Sequence, residues 1–177
     1  KVSSSQCDVS DRAQVATLFK DALVSLGGLD CLVNNAGIAG PTGPVHEINP
    51  EDWDRCLEVC ITSQFNCTRL AVEHLKQSKN PSIINLSSAA GRFGFPMRSP
   101  YAASKWAVIG FTRSLSIELG GDGIRVNAVA PGAVLTRQDG TAHAAAEVDL
   151  DLQGVQTKVI AVRLVALWRA GAAEGGR

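Results

Sequence analysis

The chain has no excess of charge of either sign and few aromatic residues. Lysine and arginine together number 17, as do aspartate and glutamate, and aromatic residues make up 5% of the 177 residues. Without a basic excess, the charge balance does not favour binding to nucleic acid. No apolar run reaches the roughly 18 residues that a transmembrane helix needs, so we expect no membrane span.

Cysteine is present, but not in the patterns typical of disulfide frameworks or metal sites. The five cysteines are an odd number, and none forms a Cys-x-x-Cys pair. A reducing, cytoplasmic location is therefore predicted, and the first residues do not resemble a signal peptide. Cys56 and Cys60 lie four apart on a predicted helix, but no histidine or third cysteine is suitably spaced. We therefore predict no metal site.

Strand-like and helix-like segments alternate through most of the chain, which predicts a parallel sheet covered by helices. Buried strands are expected at residues 29–34, 82–86 and 124–129, after a strand-like start at 2–7. Helices are expected at residues 11–26, 50–79 and 101–119. Ser10 and Asn49 are the predicted caps of the first two helices, and Pro50 suits a first helical position.

The last part of the chain differs in composition. From about Gln138 it becomes rich in alanine, with glycine at its end. We therefore divide the chain into a domain at 1–137 and an atypical tail of unknown role at 138–177. Residues 155–168 are apolar enough for a helix or a strand, and periodicity does not decide between the two.

Tyr101, Lys105 and Ser88 form the most informative pattern in the chain. Tyr101 and Lys105 lie four residues apart and would share one helix face, while Ser88 lies 13 residues before the tyrosine. An ammonium beside a phenol lowers the phenol pKa, so Tyr101 could exchange a proton with an alcohol or carbonyl near neutral pH. A serine at the end of the preceding strand could hold the same substrate oxygen. The alternative is that this segment simply begins an amphipathic helix.

Five ordered segments resemble the short-chain dehydrogenase/reductase family. They are CDV at 7–9, LVNNAG at 32–37, INLSS at 84–88 with Gly91, YAASK at 101–105 and RVNAVAPG at 125–132. The resemblance covers about residues 6–137. It implies a Rossmann-like, doubly wound parallel sheet and NAD- or NADP-dependent oxidation of an alcohol or reduction of a carbonyl on a small molecule. It also implies a homodimer or homotetramer formed through the helices at 50–79 and 101–119.

The resemblance implies catalytic roles for particular residues. Tyr101 would be the general acid in reduction and the base in oxidation. Lys105 would lower the pKa of Tyr101 and hold the nicotinamide ribose hydroxyls. Ser88 would bind the substrate oxygen, whereas the side chain of Ser87 would point to the other face of the strand.

Cys60 stands where the family has an asparagine that helps to order a proton-relay water, 41 residues before the tyrosine. A thiol is a weak donor and acceptor and does not replace an amide. We therefore expect reduced turnover, and we expect Cys60→Asn to raise it in a complete enzyme.

The resemblance also implies a set of cofactor contacts. Besides Tyr101 and Lys105, they are Asp8, Asn34, Ala36, Gly37, Pro131, Gly132, Val134 and Thr136. Asp8 would contact the adenine, although a helix-cap role is equally open. The segment at 34–37 could be only a turn, because asparagine and glycine favour turns. Pro131 and Gly132 would turn the chain beneath the nicotinamide, or form a plain loop, while Val134 and Thr136 would contact the carboxamide.

Three apolar residues, Phe93, Phe95 and Met97, lie between Ser88 and Tyr101. They could form an apolar mouth for the substrate. Ordinary hydrophobic packing of the loop is an equally open interpretation.

A glycine-rich turn for the cofactor pyrophosphate is missing before Asp8. The chain therefore resembles a fragment that begins at the third strand, with the first two strands and a recognisable final strand absent. The segment that selects NAD or NADP is missing too, so both stay open. We expect the isolated chain to bind dinucleotide poorly or not at all, and strand 29–34 to expose an edge that lowers stability or promotes association.

Two other hypotheses stay open. The first is a catalytically impaired or noncatalytic scaffold or oligomerisation protein, which Cys60 and the missing glycine turn favour and which the retained Ser88, Tyr101 and Lys105 oppose. The second is an altered or truncated reading frame, which would explain the unusual tail. The flanking DNA would distinguish these hypotheses.

Overall fold

A computed structural model describes residues 4–132 and the backbone of three further short strands. The helices are Arg12–Leu26 (α1), Pro50–Leu57 (α2), Ser63–Leu75 (α3) and Ser99–Glu118 (α4). The strands are Cys31–Asn34 (β1), Ser82–Leu86 (β2), Arg125–Val129 (β3), Val134–Leu135 (β4), Ala142–His143 (β5) and Val159–Val162 (β6). Thr136, and most of the tail predicted at 138–177, lie outside the described residues. The predicted domain boundary at 137 stays a prediction.

The main sheet is parallel and has the order β3-β2-β1-β6. Cys31 lies opposite Ser82, and Ser82 lies opposite Arg125. All four residues of β1 are buried, as expected for a strand covered on both faces. This arrangement confirms the predicted Rossmann-like parallel fold. β4 and β5 form a separate antiparallel pair.

Two expectations about the edge of the sheet are wrong. Residues 4–7, the described part of the expected first strand, do not form a strand. Among the described residues, no strand of the sheet pairs with them. The predicted open edge of β1 is instead paired in parallel with β6, from Cys31–Val159 to Asn34–Val162. An edge strand presents unpaired backbone groups that an extended apolar segment can satisfy. Because the tail supplies such a segment, its residues 159–162 form a strand.

The start of α1 also differs from expectation. Asp11, not Ser10, caps α1 by accepting hydrogen bonds from the N–H groups of Ala13 and Gln14. Ser10 is engaged elsewhere, because its hydroxyl donates to Asp8. Asn49 caps α2 as predicted.

The continuous helix expected at 50–79 is interrupted. A π-helical turn, Glu58–Thr62, separates α2 from α3. Two side chains at the start of α3 bond to carbonyls of this turn: the Ser63 hydroxyl donates to the carbonyl of Val59, and the Gln64 amide donates to the carbonyl of Cys60. α3 ends at Leu75, before a loop that leads to Pro81, and proline disfavours helical backbone in the residue before it.

The core lies between the sheet and its covering helices. Its members include Val15 and Phe19 of α1, Leu32 of β1, Leu75 of α3 and Ile83 of β2. Burial of each large apolar side chain contributes about 1.5–3 kcal/mol. This packing holds the carboxyl ends of β1 and β2 in a constant position relative to α4.

A buried polar network crosses the same region. The Asn34 amide donates to Asn85 at 2.8 Å and to Thr68 at 3.2 Å, and the Asn85 amide donates to Thr112 at 3.0 Å. These bonds join β1, β2, α3 and α4. Buried networks of this kind favour one packing arrangement, since alternative arrangements would leave polar groups unpaired. In the part of the chain described here, no helix is long and apolar enough to cross a bilayer.

Candidate active site

The two serines that follow β2 have different surroundings. Ser87 is buried and donates to the backbone carbonyl of Lys105 at 2.8 Å. Ser88 accepts a hydrogen bond from the N–H of Ala90 at 3.2 Å and faces the phenol of Tyr101, whose pKa it lowers by hydrogen bonding. The structure thus separates the two side chains as strand alternation predicts. Ser87 anchors α4, and Ser88 borders the site.

Tyr101 and Lys105 share one face of α4. The Lys105 Nζ atom is 5.6 Å from the centre of the Tyr101 ring and donates to the Leu86 carbonyl at 2.9 Å. Lys105 is only 5% exposed, and this burial lowers its pKa. Tyr101 is packed in the first turns of a 20-residue helix, so its positions relative to Ser88 and Lys105 are set by rigid elements.

The pKa of Tyr101 shifts in the direction opposite to the sequence-based expectation. Burial is the largest cause and raises it, and the net shift is upward despite the lowering by hydrogen bonding with Ser88 and by the charge of Arg98. The expected lowering by Lys105 does not prevail, because its ammonium donates to the Leu86 carbonyl and not to the phenol. The phenol is therefore protonated at neutral pH, which is the form required of a general acid.

Arg98 is a site residue that sequence reasoning missed. Its guanidinium donates to the Thr42 hydroxyl at 2.9 Å and to the Ala39 carbonyl at 2.6 Å, and lies 5.8 Å from the Tyr101 ring centre. It thereby joins the loop after β1 to the start of α4. The only sequence signal was a basic residue three positions before the tyrosine, which is common by chance.

The three apolar residues before α4 are exposed. Phe93, Phe95 and Met97 all belong to the exposed large hydrophobic residues, and Phe95 makes an edge contact with Tyr101 at 6.4 Å between ring centres. Met97 has a φ of 63°, which is unusual for a residue with a side chain. Exposed Phe95 contacts the ring of Tyr101, and the mouth interpretation stays a prediction for the three residues.

Gly37 and Cys60 lie near Lys105. A Cβ atom on Gly37 would lie 3.5 Å from Lys105 Nζ and 3.8 Å from Cys60 Sγ. Cys60 is fully buried, and its sulfur both accepts from the N–H of Ile38 and donates to its carbonyl at 3.4 Å. The lysine therefore has a thiol as a neighbour where an amide was expected from the resemblance.

The side chains of several predicted cofactor residues make contacts with other parts of the protein. Asn34 belongs to the buried network with Asn85, and Ala36 packs in the core. The Oδ1 atom of Asn34 has no hydrogen-bond partner among the described residues. The Asp8 carboxylate accepts from Ser10 and lies 3.6 Å from Arg55.

The alternative cap role of Asp8 is wrong, because Asp11 caps α1. Hydrogen bonding from Ser10 lowers the pKa of Asp8, with Arg55 adding to the effect. A negative charge is therefore retained at this position. Its contact with an adenine stays a prediction.

The loop after β3 approaches the turn that carries Ser88. The carbonyl of Pro131 accepts from the N–H of Ala89 at 2.8 Å, and Gly132 follows on the surface. The backbone of Val134 lies in β4 opposite His143. The cofactor contacts assigned to Pro131, Gly132, Val134 and Thr136 stay predictions. Among the residues that the structure describes, no cluster of three or more His, Cys, Asp or Glu could hold a metal.

The parallel sheet, and the polar side chains gathered beyond its carboxyl ends, define an α/β protein of the doubly wound class. A family model described as short chain dehydrogenase matches residues 1–147. The chain therefore belongs to the short-chain dehydrogenase family.

Relatives and solved structures agree with this assignment. A Xanthobacter autotrophicus protein named inactive 2-(S)-hydroxypropyl-CoM dehydrogenase 2 is 38% identical over 146 residues, which cover 82% of this chain and 63% of the relative. ElxO with NADP bound is 37% identical with a TM-score of 0.71, over 74% of this chain and 53% of that one. NAD⁺-bound xylitol dehydrogenase is 31% identical with a TM-score of 0.69, over 72% and 49%. The chain thus spans less than two thirds of the length of each.

Proposed function

We propose that the protein interconverts an alcohol and a ketone or aldehyde by hydride transfer, with NAD or NADP as the cofactor. The observation that carries this proposal is the convergence of Ser88, Tyr101 and Lys105 at the carboxyl end of β2. Tyr101 is the general acid in carbonyl reduction and the base in alcohol oxidation. Ser88 holds the substrate oxygen, so that the phenol proton lies within reach of it.

The cofactor fits the residues present on the Lys105 side of the site. An ammonium has three donors, and the described partner of Lys105 uses one of them, at the Leu86 carbonyl. The remaining donors suit ribose hydroxyls, and Gly37 leaves the adjacent space free of a side chain. When bound, the nicotinamide supplies or accepts the hydride. NADP in ElxO and NAD⁺ in xylitol dehydrogenase support this choice of cofactor.

The substrate is a small molecule with an apolar part. Phe93, Phe95 and Met97 are exposed apolar residues of the loop before α4, and Phe95 contacts the ring of Tyr101. Such surface would exclude water from the reacting carbonyl once the substrate covers it.

Assembly into a homodimer or homotetramer, in the cytoplasm, belongs to the same proposal. Phe65 of α3 and Trp106 and Ile117 of α4 are large apolar residues exposed on the helices predicted to associate. Their burial in an interface would remove this apolar surface from water.

A noncatalytic scaffold is the second candidate. Cys60 at the relay position favours it, and the curated relative from Xanthobacter autotrophicus carries the word inactive in its name. A scaffold has no need for a phenol, an ammonium and a hydroxyl in one cluster. Cofactor binding that depends on Lys105 therefore separates the two candidates.

Titration of the natural protein with NADH and NADPH, followed by nicotinamide fluorescence, tests the proposal. We expect saturable binding that Lys105→Gln weakens by about 10-fold or more, since it loses charge-assisted hydrogen bonds to the ribose. Lys79→Gln is the matched control, because Lys79 is exposed and precedes the amino end of β2, whereas the site lies at the carboxyl end of that strand. Absence of saturable binding, or equal affinity in both variants, would contradict the proposed function.

A further inference from the structure

The loop at 37–44, which follows β1, consists mainly of small residues and prolines. It contains three glycines and two prolines, and Ile38 is its residue that packs against the core. Glycine loses more conformational freedom on folding than any other residue, so a loop of this composition needs specific contacts to keep one conformation. One such contact joins the Ile38 backbone to the Cys60 sulfur at 3.4 Å.

Further hydrogen bonds join this loop to the residues just before α4. The Gly43 N–H donates to the Met97 carbonyl at 2.9 Å. The Arg98 guanidinium donates to the Ala39 carbonyl at 2.6 Å and to the Thr42 hydroxyl at 2.9 Å. Met97 has a φ of 63°, in the left-handed region that residues with side chains rarely adopt. Such a conformation persists only where the surrounding contacts fix it.

Arg98 also contacts two aromatic rings. Its guanidinium carbon lies 5.7 Å from the ring centre of Phe95 and 5.8 Å from that of Tyr101, and the two rings meet edge to face. A guanidinium is planar, so it can contact aromatic rings while its N–H groups donate in a fixed fork. One side chain therefore connects the loop at 37–44 to the phenol ring.

We propose that Arg98 is a positioning residue for Tyr101, because its guanidinium joins the phenol ring to the loop at 37–44 and makes their positions depend on each other. The same loop carries Gly37, on which a Cβ atom would lie 3.5 Å from Lys105 Nζ. A displacement of about 1 Å in a reacting group can cost about 100-fold in rate. The effect on turnover rests on the proposed function, whereas the order of the loop and the ionisation of Tyr101 do not.

Three substitutions separate positioning from charge. Arg98→Gln removes both the charge and the fork of donors, whereas Arg98→Lys keeps the charge and loses the planar fork. Thr42→Val removes one acceptor and no charge, and Thr42 is exposed, so water can replace the lost bond. Arg113→Gln is the matched control, because Arg113 is exposed on α4, 12 residues after Tyr101. That spacing places it about 18 Å further along the helix axis.

Amide hydrogen exchange of the natural protein and these variants measures the order of the loop. We expect peptides that cover residues 37–44 to exchange about 10-fold faster in Arg98→Gln and Arg98→Lys, since each loses charge-assisted hydrogen bonds. Thr42→Val should give a smaller increase, and adding it to Arg98→Gln should have no further effect, because the bond is already lost. Exchange of β1 should not change, which separates loss of the loop contacts from general destabilisation.

The ultraviolet titration of Tyr101, the only tyrosine in the chain, measures the effect at the site. The titratable or charged groups near the phenol are Arg98, Lys105, Cys56 and Cys60. The charge of Arg98 lowers the pKa of Tyr101, so its removal raises the pKa. We expect a rise of about half a pH unit or more in Arg98→Gln, the effect of one unit charge at this distance in water. Arg113→Gln should leave the midpoint unchanged.

The inference is overturned if Arg98→Lys keeps the wild-type exchange of the loop, because charge alone would then account for the contact. It is equally overturned if Arg98→Gln leaves the tyrosinate midpoint unchanged, or if Arg113→Gln shifts it as much. Circular dichroism checks that each variant is folded over the pH range. Should the Arg98 variants unfold, Thr42→Val decides: faster loop exchange supports the inference, and unchanged exchange overturns it.

Both measurements are made without cofactor or substrate. Their failure therefore leaves the proposed function standing, and a failed titration with NADH and NADPH leaves this inference standing.

Discussion

Replacing Tyr101 with phenylalanine should lower turnover by about 100- to 10,000-fold, the range for loss of a general acid or base. The substitution removes the hydroxyl and keeps the ring. The contacts of the ring with Phe95, Arg98 and Lys105 are therefore retained. We expect cofactor affinity and the free energy of unfolding to change little, because the loss is confined to the proton-transfer step.

Steady-state rates and nicotinamide fluorescence of the two proteins measure this effect. Tyr101 is the only tyrosine in the chain, so the ultraviolet titration of tyrosinate reports this residue alone. The wild-type protein should show a pKa above the ordinary value of a phenol, since burial raises it. Retention of more than about a tenth of the turnover in Tyr101→Phe would contradict the assigned role.

Gly91→Ala should destabilise the protein by about 1–3 kcal/mol, the usual cost of overpacking. A Cβ atom at this position would overlap the Ser87 hydroxyl and lie 2.5 Å from the carbonyl oxygen and 2.8 Å from the carbonyl carbon of Lys105. Two of these atoms belong to the backbone of α4, so relief requires the helix to move. The movement would also break the bond from Ser87 to α4 and displace Lys105 from Ser88, so turnover should fall as well.

Gly110→Ala is the control for this substitution. Gly110 is exposed in the interior of α4, and no atom lies within 4 Å of the position that its Cβ would take. Alanine is favoured over glycine inside a helix by about 0.5–1 kcal/mol, so this variant should be more stable than wild type. Urea unfolding of both variants measures the difference in stability. Equal unfolding midpoints for Gly91→Ala and wild type would show that the short distance between Gly91 and α4 does not exclude a side chain.

Local signals predicted most of the elements that position the site. β2 was expected at the residues where it lies, because a short apolar run is bounded there by a proline before it and serines after it. Asn49 and Pro50 begin α2 as expected, since caps act on their own first turn. Asp11, by contrast, replaced Ser10 as the cap of α1, because Ser10 bonds to Asp8.

The sequence itself determined that Tyr101 and Lys105 share one face of a helix and that the side chains of Ser87 and Ser88 point apart, whereas the tertiary structure brought Ser88 to Tyr101. Spacing of four on a helix and alternation along a strand are fixed by backbone geometry, which needs no information from distant residues. The tertiary structure alone decided what surrounds those groups: the pairing of β6 with β1, the contact of Arg98 with the loop after β1, and the thiols beside Lys105. It also reversed the expected direction of the Tyr101 pKa shift. Burial and electrostatic neighbours depend on how distant segments pack, and for that reason no local pattern could have predicted them.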